Sequence, residues 1–187
     1  MRTYKLTITL FALFCLISSF QCGKCRTGDI KLDNTRSWFP LKGKTSLPFF
    51  DNTGFLTNFG LLVKDTSEVF FNDCGDSYNA EYLKTTLYLN STKTDSIHFS
   101  LNSNGWLCMN ATSGNNPDMG MCNVFGQTQT GIVAKRFYNF PVGVRSYQEV
   151  ILLIHSPGLA GNIDSVFIAN NIGIVGFNYS TKKFTLQ

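Results

Sequence analysis

The sequence predicts an all-β fold: one antiparallel curved sheet forming a half-barrel, a barrel or a sandwich, preceded by an N-terminal signal segment. Three observations carry this. From Trp38 onward, short apolar or alternating runs follow one another between Asn/Gly turn signals. Aromatic content is high at 14%, with 17 Phe, a residue type that packs well on a pleated surface. No window shows a 3.6-residue apolar stripe; the nearest, Tyr78–Leu89, carries the β-branched Thr85 and Thr86.

Taken in order, Ser46–Phe50 is a short run whose Pro48 suggests a sheet edge. Asp51–Gly54 is a turn. Phe55–Val63 and Glu68–Phe71 read as two strands, and Glu81–Leu89 as a third. Ser96–Leu101 alternates, with Ile97, Phe99 and Leu101 on one face and His98 and Ser100 on the other. Asn102–Gly105 turns the chain into Trp106–Met109. Met121–Phe125 and Gly131–Tyr138 continue the series. Val150–Ile154 is wholly apolar, as a strand covered on both faces would be. Asp164–Ala169, Gly173–Tyr179 and Lys183–Leu186 complete it. No internal repeat or linker divides the chain.

The first residues set the compartment. Arg2 and Lys5 precede an apolar run, Leu6–Phe20, which stops at Gln21-Cys22. A basic start, an apolar stretch and a break at small or polar residues describe an export signal. The expected organisation is a signal peptide over 1–21, a polar tether over 22–36 and a single β domain over 37–187. Removing the leader lowers the net charge from +4 to +2. Near-neutral charge without a basic block points away from nucleic acid as a partner. After the leader no apolar run approaches the ~20 residues that span a bilayer.

Six cysteines are present, and Cys15 would leave with the leader. Of the five others, acylation of Cys22 would leave Cys25, Cys74, Cys108 and Cys122, an even set for two disulfides in an oxidising compartment. Cys108 with Cys122 would close the turn-rich segment 110–118, stabilising by roughly 3 kcal/mol on the chain-entropy model. Cys25 with Cys74 would then tie the tail to the body. Four cysteines allow three pairings, and the sequence alone does not choose. Ordinary secretory cleavage near Gln21 or Gly23 is the alternative to acylation, leaving Cys22 or Cys25 as a free or intermolecular thiol.

Two resemblances add to this. Ser19-Phe20-Gln21-Cys22 resembles a bacterial lipoprotein signal, which implies acylation of Cys22. The segments 140–150 and 166–177, with their Gly-x-x-Tyr and Gly-aliphatic-Val-x-aromatic units, resemble the end of small exported lipoproteins of Gram-negative bacteria. That likeness implies a curved antiparallel sheet or half-barrel, and carries no catalytic residues.

Sites of chemistry are sparse. His98 falls on the polar phase of its strand and is expected to be exposed; His155 ends an apolar run and is expected to cap it. No HxH or HExxH spacing and no Gly-x-Ser-x-Gly elbow occurs. Asp73, Asp76 and Glu81 are the densest acidic group, read as a solvated turn before a calcium site. Trp38, Phe39, Trp106, Tyr138 and Tyr147 are expected mostly in the core, with sugar stacking or a pocket lining as the alternative. Asn90, Asn110 and Asn178 begin glycosylation acceptor triplets, which matter only in a eukaryotic source.

The expectation is therefore an exported, lipid-anchored, non-enzymatic protein of a bacterial outer membrane or periplasm, acting as a binding or structural module. No catalytic residue, metal or cofactor is assigned. The partners are the membrane, through the N-terminal lipid, and an apolar small molecule or a protein. The alternatives are a freely secreted, lipocalin-like carrier of an apolar ligand and a secreted hydrolase.

Overall fold

The computed structural model describes residues 28–71, 75–102, 106–113, 116–123, 128–130, 132–155 and 163–187. Its strands are β1 (Ser46–Asp51), β2 (Leu56–Phe71), β3 (Ser77–Tyr88), β4 (Ser96–Asn102), β5 (Trp106–Ser113), β6 (Asn116–Asn123), β7 (Thr128–Thr130), β8 (Ile132–Val142), β9 (Arg145–His155), β10 (Ile163–Ala169), β11 (Gly173–Tyr179) and β12 (Lys182–Leu186). They form one antiparallel sheet in the order β7-β6-β5-β4-β3-β2-β1-β12-β11-β10-β9-β8. The first and last strands pair with each other in the middle, β1 against β12. The outer strands β7 and β8 come into contact, so the sheet curls into a half-barrel. The all-β expectation holds, and 78–88 of the segment 78–89, nearest to a helical pattern in the sequence, lie in the strand β3.

The alternating pattern sets the inside. Ile97, Phe99 and Leu101 on β4 are buried, as are Leu83 and Leu87 on β3 and Phe59 and Leu61 on β2. The centre is aromatic: Phe49, Phe59, Phe177 and Phe184 meet largely edge to face, with ring centroids 5.0–5.8 Å apart. Each such side chain removed from water stabilises the fold by about 1.5–3 kcal/mol.

The concave side is filled rather than open. A 3-10 turn (Asp33–Trp38) and the segment after it bring Leu32, Trp38, Phe39 and Leu41 into the core at 1–2% exposure. Phe39 packs on Phe99 at 5.2 Å between centroids. Residues 22–36 were expected to be a polar tether; their described part, 28–36, is docked. Ile30 forms a parallel bridge with Ala80, and Asp29 accepts from the Asn79 backbone N–H at 3.0 Å. Leu32 and Thr35 are buried among otherwise polar neighbours, too few apolar positions for the sequence to reveal the docking.

A second apolar layer explains the run Val150–Ile154. Val142, Tyr147, Val150, Ala169 and Val175 form a separate buried cluster, with Phe140 and Phe167 against it. Ile151 and Leu153 belong instead to the main core. The β8–β9 hairpin, whose Asn139 has φ 51°, thus packs against the sheet face opposite the main core. Gly176 permits the approach: a Cβ there would lie 2.9 Å from both Val142 Cγ1 and the Phe184 carbonyl.

Two expected boundaries change. Phe55–Val63 and Glu68–Phe71 are one sixteen-residue strand, because β3 pairs with β2 without interruption from Gly60–Tyr88 to Phe71–Ser77. The segment 110–118, read as a loop, is largely the β5–β6 hairpin.

Candidate functional site

The outer face of β3, β4 and β5 carries the best-formed cluster of polar side chains. Antiparallel register makes Thr86, His98 and Asn110 neighbours in one row, and Lys84, Ser100 and Cys108 in the next. Together they line a shallow groove of about 300 Å³. Residues opposite each other in an antiparallel ladder share a face, which is why side chains of three successive strands converge here.

His98 lies on the polar phase of β4 as expected, yet it is half-buried rather than exposed. Its Nδ1 is 2.9 Å from Thr86 Oγ1 and its Nε2 is 2.8 Å from Ser96 Oγ. Burial lowers the imidazole pKa from its ordinary value, because the charged form loses water. Burial raises the Cys108 thiol for the same reason. A neutral imidazole beside a protonated thiol is the opposite of the ion pair that activates a cysteine nucleophile. Lys84 is held by Glu68 at 3.2 Å. What the groove offers is hydrogen bonding by hydroxyls, an amide and a neutral ring.

A second groove, of about 280 Å³, lies where the 3-10 turn meets the β2–β3 hairpin. Arg36 Nη1 donates to both oxygens of Asp65 at 3.0 and 3.1 Å, and Nη2 is 3.7 Å from Glu81. Glu81 also accepts from the Leu32 backbone N–H at 3.1 Å. These contacts clamp the turn onto the hairpin. They also draw Glu81 away from the acidic group proposed around residue 76; Asp73 of that group lies outside the described residues.

Of the cysteines singled out in the sequence, Cys22, Cys25 and Cys74 lie outside the described residues. Among the described residues there is no disulfide, and Cys108 carries a free thiol. In the β5–β6 register Cys108 pairs with Met121, whereas Cys122 pairs with Leu107, so the two are not cross-strand partners. His155 ends β9 as expected. Trp38, Phe39 and Tyr147 are core residues, whereas Tyr138 is exposed, with the Arg136 guanidinium 5.7 Å from its ring. The Asn90 amide donates to Thr94 and the Asn178 amide to Ser165, each at 2.9 Å, so both are engaged in local structure.

One buried carboxylate was missed by sequence reasoning. Asp51 Oδ1 accepts from the Thr53 N–H, the Thr53 hydroxyl and the Phe55 N–H, while Lys182 donates to Oδ2 at 2.9 Å. The Asp-Asn-Thr-Gly turn signal was visible; the lysine 131 residues away was not.

Among the described residues no group of three His, Cys, Asp or Glu is placed to hold a metal ion, and no helix is long and apolar enough to cross a membrane. No family model, curated protein or solved structure matches this chain.

Proposed function

We propose that this chain is an exported envelope protein, held at a membrane by a lipid on Cys22, that acts as a non-enzymatic binding or structural module. The observation that carries the reading is the leader: Arg2 and Lys5, the apolar run Leu6–Phe20, and a cysteine at its end, in a segment that resembles a lipoprotein signal. The likeness of segments 140–150 and 166–177 to exported lipoproteins of Gram-negative bacteria supports it. Mass spectrometry of the mature chain from producing cells tests it. An acylated Cys22 is expected; an unmodified first residue overturns the anchor.

The filled concave face weighs against the lipocalin-like alternative. Trp38, Phe39 and Leu41 occupy the space that an apolar ligand would need. The His98–Cys108 groove, whose lysine is paired with Glu68, likewise lends no support to a hydrolase.

Oxidation of Cys25 with Cys74 belongs to the same proposal. Asp29 and Asn79 are hydrogen-bonded at a separation of fifty residues, and Ile30 and Ala80 are bridged at the same separation in parallel. Cys25 and Cys74 differ in number by almost the same amount. Non-reducing peptide mapping of the exported protein should find this linkage; two alkylatable thiols at these positions would exclude it.

A further inference from the structure

The β2–β3 hairpin continues past the body of the sheet. The β3–β4 ladder starts at Tyr82–Asn102 and the β1–β2 ladder stops at Ser46–Gly60, yet β2 and β3 stay paired to Phe71–Ser77. Ser67–Phe71 and its partner strand therefore form an arm about 17 Å long, at ~3.4 Å per residue. Val69 and Phe71 continue the row of Phe59, Leu61 and Val63 beyond the core, and are 62% and 73% exposed. On the opposite face Phe70 stacks on Tyr78 at 5.8 Å, which stiffens the arm.

Exposure alone does not say what covers this tip. Phe55, just before the other end of β2, is 68% exposed and as apolar. The N-terminal chain breaks the symmetry. It runs parallel to β3 through Asp29–Asn79 and Ile30–Ala80, so towards its start it heads to the Phe71 end. Gly28 is six residues from Cys22, a reach of at most ~20 Å at 3.3–3.6 Å per residue. The only charged residues between are Lys24 and Arg26, both basic, which suit anionic headgroups. Of the nearby acids, Asp29 is hydrogen-bonded to the Asn79 amide at 3.1 Å and Glu68 to Lys84, while Asp73 and Asp76 stand in the sequence between β2 and β3.

We infer that Val69 and Phe71 dock onto the bilayer surface that receives the N-terminal lipid. This rests on the anchor proposed above, and adds orientation to it: the lipid attaches the domain, and the arm fixes which end faces the membrane. Exposed aromatic and aliphatic side chains favour the interfacial region of a bilayer.

The test uses the full acylated chain in vesicles of phosphatidylethanolamine and phosphatidylglycerol, with and without brominated acyl chains. Phe71→Trp and Phe55→Trp are compared with the parent protein, whose Trp38 and Trp106 set the background. Several-fold greater bromine quenching of the added tryptophan at 71 than at 55 is the expected result. Equal quenching on vesicle-bound protein overturns the docking and leaves the anchor intact. If the first residue is unmodified and the chain does not float with vesicles, the anchor fails; the same comparison on the unacylated chain with excess vesicles then decides the docking alone. A dimer in sedimentation that is dissolved by Val69→Ser with Phe71→Ser would assign the tip to a second copy and also overturn the inference.

Discussion

The Tyr179 hydroxyl, at the end of β11, donates to the carboxylate of Asp95, 84 residues earlier, just before β4. In the sheet these strands are separated by β3, β2, β1 and β12, so the bond crosses the half-barrel instead of following a ladder. It holds the curl that strand pairing alone leaves open. Burial, then the hydrogen bond to Asp95 and its negative charge, push the Tyr179 pKa up to about 12.

Tyr179→Phe is therefore expected to destabilise by about 1.5–3 kcal/mol, the range for a hydrogen bond to a charged group. The pH dependence has a definite sign. An unfolded tyrosine ionises near 10 and the folded one higher, so the contribution is complete below 10 and is lost as pH rises towards 12. Urea midpoints at pH 9 and pH 11.5 should converge between wild type and variant. A constant gap across that window would remove the bond from the account.

Asp51 gives the opposite dependence. Its hydrogen bond from Thr53, then the bond from Lys182, hold its carboxyl well below the usual carboxylate range. The stabilisation is present above the unfolded value near 3.8 and is lost as pH falls below it. Asp51→Asn should be less stable than wild type at pH 7, with the difference shrinking on acidification below pH 4. Denaturant midpoints at pH 7 and pH 2.5 check this, and a difference no smaller at pH 2.5 than at pH 7 would contradict it.

Much of the fold was legible where alternation and burial coincide. Ile97, Phe99 and Leu101 were assigned inward from period two and are buried. Gly173, at the start of the run Gly173–Tyr179, has φ +97°, with Leu41 packed where a side chain would begin. Legibility failed where tertiary contacts override local composition. Lys64–Ser67 look like a break, because there β2 leaves the core, but its ladder with β3 continues. The candidate groove was hidden for another reason: Thr86, His98 and Asn110 are adjacent only through the register of three strands, which composition does not encode.

Gly176 tests the second layer. It has ordinary backbone dihedrals, so its role is space and not conformational freedom. Gly176→Ala places a methyl 2.9 Å from Val142 Cγ1 and from a backbone carbonyl, and should cost about 1–3 kcal/mol as overpacking. Adding Val142→Ala should recover only part of the loss in a double-mutant cycle, since the Phe184 carbonyl stays. Full additivity would show that the β8–β9 hairpin does not press on this glycine.

The groove makes a prediction about protonation. Because burial lowers the His98 pKa, the unfolded chain takes up a proton near 6.5 and the folded chain only at lower pH. The associated stability is present above 6.5 and is lost as pH falls through the folded value. NMR titration of the ring should give a midpoint below 6.5, and His98→Gln should flatten the stability profile between pH 7 and pH 5. Cys108, raised by its own burial, should alkylate slowly at pH 7 and faster as pH rises. A ring that titrates above 6.5 together with a thiol that reacts rapidly at pH 7 would reveal an activated pair and reopen hydrolytic chemistry at this face.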